Sequence, residues 1–213
     1  MEKTSLNINI KEEQLKAQKH IDAQGLRVLV CSGTGCMANG SLNVIERFKM
    51  WTAEEVRADL QKDRSEMIFV CENLDYNINI GSVIRNNNAF LGKEVYVVGR
   101  RRIDKRSGAG QHHYETVYHS DTFKEVIDKL HSEGYTVFAV DNIESYNPVS
   151  YLDVYMPEKS AFVIGNEGEG CPPEAIELCD EMIYIHQRGS VRSLNVACAS
   201  AVIMAEYNRR YFE

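Results

Sequence analysis

The chain has 213 residues, enough for one ample domain or for one domain with an extension. Its formal net charge is −7, from 24 Lys and Arg against 31 Asp and Glu, so any contact with nucleic acid has to come from a local basic patch. No apolar run approaches the ~18 residues needed to cross a bilayer, and the N-terminus MEKTSLNINIKEE lacks a signal-peptide core; the expectation is a soluble, cytoplasmic protein without a membrane partner.

Residues 1–65 read as an N-terminal extension. Lys11 to Gln24 has the pattern of a polar helix and Leu26 to Val30 of a short strand. Thr52-x-x-Glu55 is a capping box that opens a helix to about Lys62. Between them, Cys31-Ser-Gly-Thr-Gly-Cys36 forms a glycine-rich turn, and residues 26–42 are similar to the first half of thioredoxin-like iron–sulfur domains. A cluster of that kind needs four thiolates, and the second pair is missing. The other cysteines, at 71, 171, 179 and 198, sit in apolar or helical contexts without a C-x-x-C pair and read as reduced core thiols.

From Met67 onward, short apolar strands alternate with helices. Ile68 to Cys71 reads as a strand, Glu72 to Asn79 as a polar loop, and Gly81 to Phe90 as a helix. Glu94 to Val98 is a second strand, followed by a loop in which Arg100, Arg101, Arg102, Lys105 and Arg106 face only Asp104. That loop is the candidate RNA-binding patch. His112 and His113 are adjacent and lack an acidic or thiol companion at ligand spacing, so no metal site is expected. Thr122-x-x-Glu125 starts a helix that Gly134 ends, Tyr135 to Val140 is a third strand, and Asp141 to Pro157 is a long loop carrying tyrosines.

Ala161 to Ile164 is a fourth strand that stops at Gly165, where Gly165, Gly168 and Gly170 would let main chain approach a ligand closely. Pro172-Pro173 opens a helix through Cys179, Met182 to Ile185 is a fifth strand, and a polar loop with Ser193 and Asn195 leads into a helix from Leu194 to Tyr207. That helix is apolar on nearly every face, as expected of a buried or interfacial one. Five strands alternating with helices predict an α/β protein with an open, mostly parallel sheet.

Three stretches carry a resemblance. Asn79-Ile-Gly-Ser-Val-Ile-Arg85 ahead of Ala89 to Gly92, then Gly165-Asn-Glu-Gly-Glu-Gly170, then Arg188-Gly-Ser-Val-Arg-Ser-Leu-Asn-Val196 resemble, in order, motifs 1, 2 and 3 of the SPOUT-class RNA methyltransferases, in their TrmH-like branch. The resemblance implies that residues 66–213 form a SPOUT domain with a C-terminal trefoil knot, working as a homodimer on tRNA or rRNA rather than DNA. It implies S-adenosylmethionine as cofactor and a ribose 2′-hydroxyl as methyl acceptor. On the matched positions, Gly165, Gly170, Ile185, Leu194 and Asn195 would hold the cofactor, and Arg85, Asn79, Glu167, Ser193 and Asn195 would form the catalytic set.

The family's usual account makes the arginine an activated base. A guanidinium stays protonated, however, and Arg85 is better suited to gripping the phosphate beside the target ribose. This chain departs from the family's Ile-Pro-Met at Ile185-His186-Gln187, which frees a backbone N–H in the cofactor loop. Two other readings remain: a knotted RNA-binding protein without catalysis, and an electron-transfer accessory built on Cys31 and Cys36.

Overall fold

The computed structural model describes residues 52–73, 79–103, 114–166, 168–190 and 193–212. The predicted helix and strand of residues 11–30, the Cys31–Cys36 turn and the His112–His113 pair lie outside these residues. The chain divides into two compact units, Met1–Val56 and Arg57–Glu213.

Thr52 caps helix α1 (Ala53–Leu60) reciprocally. The Glu55 N–H donates to Thr52 Oγ1 at 3.2 Å and the Thr52 N–H donates to Glu55 Oε2 at 2.7 Å, as the box predicts.

The second unit is built on seven parallel strands among the described residues: β1 (Ile68–Asn73), β2 (Glu94–Gly99), β3 (Val117–Ser120), β4 (Thr136–Val140), β5 (Val149–Ser150), β6 (Ser160–Ile164) and β7 (Glu181–Tyr184). Their order across the sheet is β3-β2-β1-β6-β4-β7-β5. Strand β1 is an interior strand, in register with β2 from Ile68 opposite Glu94 to Asn73 opposite Gly99, and with β6 from Ile68 opposite Ala161.

Side chains alternate between two cores, because successive strand residues point to opposite faces. On one face Phe69, Cys71, Val97 and Phe162 pack against α2 (Ile80–Ala89) and α5 (Val196–Tyr211). On the other, Ile68, Val70, Val98 and Val163 pack with Phe123, Val126, Ile127 and Leu130 of α3 (Phe123–Ser132) and with Ala175 and Ile176 of α4 (Pro173–Ile176). The result is three layers with the sheet in the middle.

Several expectations shift. Strand β1 continues through Glu72 and Asn73, which are 1% and 0% exposed, so these polar residues end a buried strand and do not begin a surface loop. Strands β3 and β5 were not legible: β3 is a short edge strand with Tyr118 and His119 exposed, and β5 has two residues. Helix α4 stops at Ile176, and the chain tightens into i→i+3 bonds at Leu178 and Cys179. Helix α5 starts after Asn195, so Leu194 lies outside it.

Helix α5 is also less uniformly apolar than its composition suggests. Val196, Ser200, Ile203, Met204 and Tyr207 form its buried stripe, while Cys198 and Ala205 are exposed. Small residues on the outer face gave the impression of an all-round core helix. The inner face is fastened by polar contacts: Asn86 Nδ2 of α2 donates to the Ala197 carbonyl at 2.8 Å and to Ser200 Oγ at 3.2 Å.

Candidate active site

The carboxyl ends of β4, β6 and β7 open into one cleft, the usual place for a ligand in an open parallel sheet. Val140 and Asp141 follow from β4, Ile164, Gly165 and Asn166 from β6, and Ile185 and Gln187 from β7. Ser193, Leu194 and Val196 close it from the entrance to α5. Its enclosed free space is about 90 Å³, and the remainder of the cleft is open to solvent.

The glycine-rich turn folds back on itself. Asn166 and Gly170 exchange backbone hydrogen bonds, Asn166 N–H to Gly170 O at 3.2 Å and Gly170 N–H to Asn166 O at 3.0 Å. A Cβ on Gly165 would sit 1.8 Å from the Gly170 carbonyl oxygen. One on Gly170, where φ is +74°, would sit 2.4 Å from Asp141 Oδ2. Both glycines are therefore required by the turn itself and by its contact with the end of β4.

Side chains hold this turn from two sides. Asp141 Oδ2 accepts the Cys171 N–H at 2.7 Å. Asn166 Oδ1 accepts the N–H groups of Gly168 and Glu169 at 2.8 and 2.9 Å, and its amide donates to Glu72 Oε2 at 2.9 Å. The Cys171 thiol is buried beneath the turn, and that burial, reinforced by the Asp141 carboxylate, pushes its pKa well up, so it is an inert core group.

The first and third motifs meet through their asparagines. Asn195 caps α5, its Oδ1 accepting from Ala197 N–H at 3.0 Å and Cys198 N–H at 3.4 Å, while its Nδ2 donates to Asn79 Oδ1 at 3.0 Å. Asn79 occupies the N-cap position of α2 without capping it by its side chain. Arg85 lies six residues further along α2, about 9 Å up the helix axis, and is exposed. It has no hydrogen-bond or ion-pair partner among the described residues.

The structure thus gathers Gly165, Gly170, Ile185, Ser193 and Leu194 in one cleft and joins Asn79 to Asn195, while Arg85 stands on the adjoining helix. Glu167, Lys105 and Arg106 lie outside the described residues. Arg100, Arg101 and Arg102 are exposed beyond β2. Gln187 lines the cleft, whereas His186 is exposed and meets the Tyr184 ring edge-on at 6.4 Å.

Residues 66–205 match the model of the SpoU rRNA methylase family. The chain belongs to the SpoU rRNA methylase family.

Among its relatives, the mouse tRNA (guanosine(18)-2′-O)-methyltransferase TARBP1 is 31% identical over 160 residues, covering 72% of this chain but only 10% of the mouse protein. The Escherichia coli tRNA (guanosine(18)-2′-O)-methyltransferase is 30% identical over 135 residues, 62% of this chain and 58% of that protein. The Aquifex aeolicus enzyme of the same description is 24% identical over 161 residues, 74% and 75% of the two chains. The chain therefore spans less than two thirds of the mouse and Escherichia coli relatives.

Two solved structures share its fold. The A. aeolicus TrmH/SpoU tRNA modifying enzyme superposes with a TM-score of 0.66 at 23% identity, covering 78% of this chain and 84% of that one. The SpoU methyltransferase AviRb from Streptomyces viridochromogenes, in complex with the cofactor AdoMet, gives 0.61 at 24% identity over 71% and 60% of the chains.

Within this SpoU family chain, three residues that sequence reasoning passed over serve the site. Glu72 and Asn73 end the buried strand β1, Asp141 directly follows β4, and each braces a loop beyond its strand. A carboxylate or amide directly after an apolar strand was the available signal.

Proposed function

We propose that this SpoU family chain is an S-adenosylmethionine-dependent methyltransferase that modifies a ribose 2′-hydroxyl of tRNA or rRNA. The observation that carries this reading is the Asn195–Asn79 hydrogen bond, which joins the cofactor-type cleft to the helix bearing Arg85.

The residues present fit the cofactor. Main chain at Gly165, Ile185 and Leu194 supplies hydrogen-bonding groups around the cleft, and Val140, Ile164 and Val196 supply an apolar wall for a flat ring. When bound, S-adenosylmethionine supplies an electrophilic methyl group. The chain's own task is to hold the ribose hydroxyl in line and to take care of its proton.

Arg85 is exposed and unpaired among the described residues, so its fork is available to a phosphate. Two parallel N–H donors to the phosphate beside the target ribose would fix the sugar, and a phosphate oxygen would accept the proton. Ser193 and Asn195, at the cleft mouth, orient the ribose and the loop, and Glu167 joins them in this reading. Arg100, Arg101, Arg102, Lys105 and Arg106 supply further phosphate contacts as a local basic patch on an acidic chain.

The proposal includes a cytoplasmic homodimer with a C-terminal trefoil knot, and residues 1–65 as an extension to the methyltransferase domain 66–213. The placement of β6 between β1 and β4, with α5 returning to α2, supports the knot. No helix among the described residues is long and apolar enough to cross a membrane.

The test is mass-spectrometric mapping of ribose methylation in tRNA and rRNA from cells with and without the gene. Loss of one or a few 2′-O-methyl nucleotides is expected, and an unchanged map would refute the reading.

A further inference from the structure

The end of strand β1 presents two buried polar residues to two different loops. Glu72 reaches toward the β6 side, where it accepts from Asn166 of the glycine turn at 2.9 Å. Asn73, pointing to the opposite face by strand alternation, reaches toward the β2 side. Its Nδ2 donates to the Arg100 carbonyl at 2.5 Å and to the Arg102 carbonyl at 3.2 Å, and its own carbonyl accepts the Arg100 N–H at 3.0 Å. Three hydrogen bonds from one side chain and one peptide group therefore fix the path of residues 100–102 as they leave the sheet. Asn73 itself is 0% exposed and sits opposite Gly99 in register, so the β1–β2 ladder fixes its backbone.

This is an unusual expenditure on a surface segment. Exposed arginines normally need no buried amide beneath them, and a fully buried side chain at the end of an interior strand would ordinarily be apolar. The arrangement makes sense where three consecutive arginines have to project from a defined backbone, because electrostatic contacts to a phosphate chain lose specificity when the carrier loop wanders.

We infer that Asn73 is a positioning residue for RNA binding: it sets the backbone of Arg100–Arg102 so that their side chains meet successive phosphates of the substrate. The inference rests on the RNA-modifying function proposed above. Glu72 performs the parallel task for the cofactor turn, so adjacent residues of one strand serve two different ligands.

The experiment measures binding of an unmodified, in vitro transcribed tRNA across a salt series, together with calorimetric S-adenosylmethionine binding and thermal melting. The variants are Asn73→Ala and the similarly sized Asn73→Leu, each alone and in an Arg100→Ala/Arg101→Ala/Arg102→Ala background. Each Asn73 variant should weaken tRNA binding roughly tenfold at fixed salt, as loss of two hydrogen bonds to main chain allows. It should also flatten the log–log salt slope by up to about 0.7–0.9 for each lost phosphate contact. Cofactor affinity should stay unchanged. In the arginine-depleted background the same variants should add no further loss.

An equal loss in both backgrounds would overturn the inference, as would tRNA affinity unchanged by either variant. Joint loss of cofactor binding, tRNA binding and the melting transition in both variants would assign Asn73 to folding alone, and also overturn it. Absence of salt-dependent tRNA binding by the unaltered protein would instead bring down the RNA reading itself, and the inference with it.

Discussion

Asn195 makes two kinds of contact with one amide group: its oxygen caps the first turn of α5 while its nitrogen donates to Asn79 at the start of α2, 3.0 Å away. The two helices also meet through Asn86 and Ser200. The loop that closes the cleft and the helix that carries Arg85 are therefore referenced to each other by side chains at their ends.

The two roles of Asn195 separate chemically. Asn195→Asp keeps a cap acceptor and adds a favourable charge at a helix N-terminus, but has no donor for Asn79. Its stability should stay near that of the parent while methyl transfer falls. Asn195→Ala removes both and should lose about 1 kcal/mol of stability as well. Urea denaturation alongside turnover distinguishes the two, and equal turnover in Asn195→Asp and the parent would show that the Asn79 contact is dispensable.

Gly165 offers a sharper steric case. A single methyl there would lie 1.8 Å from a backbone oxygen, which no side-chain rotation can relieve. Gly165→Ala should lower the melting temperature and abolish cofactor binding with it. Gly189, exposed and with nothing within 4 Å of an added Cβ, should accept alanine within about 0.5 kcal/mol. Retention of cofactor affinity in a stably folded Gly165→Ala protein would show that the turn can rearrange.

At Gly165 the structure gives a steric reason for glycine that lies within the turn itself. Motif residues were legible because their types and order recur, and the strands of the central sheet were legible because a buried parallel strand is a continuous apolar run. Strand β3 was hidden because an edge strand with exposed Tyr118 and His119 carries no such run. The braces were hidden for a different reason. Glu72 and Asn73 look like the start of a polar loop until the partner loops are placed in space, and sequence spacing says nothing about which loops converge at the end of a strand. The tight packing between Gly165 and Gly170 likewise depends on a fold-back that no periodicity records.

Arg64 and Glu115 form an ion pair in the interior of the second unit, with Nη2 to Oε1 at 2.7 Å and side-chain exposures of 2% and 0%. Asn87 and Asn88 of α2 add donors to the same carboxylate at 2.7 and 2.6 Å, so the pair anchors the C-terminal turn of the helix carrying Arg85. Arg64→Met leaves a buried carboxylate without its cation and should cost about 3–5 kcal/mol in urea denaturation. Arg64→Met combined with Glu115→Leu should recover part of that loss. A single variant as stable as the parent would mean that the asparagines alone satisfy Glu115.

Acid sensitivity should trace in part to Glu206. Hydrogen bonds from Arg209 and then Arg210 hold its carboxyl down to about 2 from an ordinary value of 4.5, against the opposing effect of burial. A depressed folded-state value means that the stabilisation is complete above about 4.5 and is lost as pH falls toward about 2. Arg210 also donates to the carbonyls of Val154 and Tyr151, each at 2.7 Å, so protonating Glu206 loosens the clamp between α5 and residues 151–154. Glu206→Gln should be less stable than the parent at pH 7 and should lose less on acidification to pH 3. Parallel pH profiles for the two proteins would exclude this group as a source of the acid response.

In the proposed function this chain moves a methyl group to an RNA ribose with Arg85 as the phosphate clamp. Single-turnover transfer from radiolabelled S-adenosylmethionine to unmodified tRNA and rRNA transcripts, followed by nuclease digestion to nucleosides, tests it most directly. The proposed function predicts label in a 2′-O-methyl nucleoside. It also predicts a rate at least ~10²-fold lower for both Arg85→Ala and Arg85→Lys, since lysine keeps the charge and loses the planar fork, while calorimetric cofactor affinity holds. Label on a base, no transfer to any transcript by the unaltered protein, or an Arg85→Ala protein working at the parent rate would contradict it.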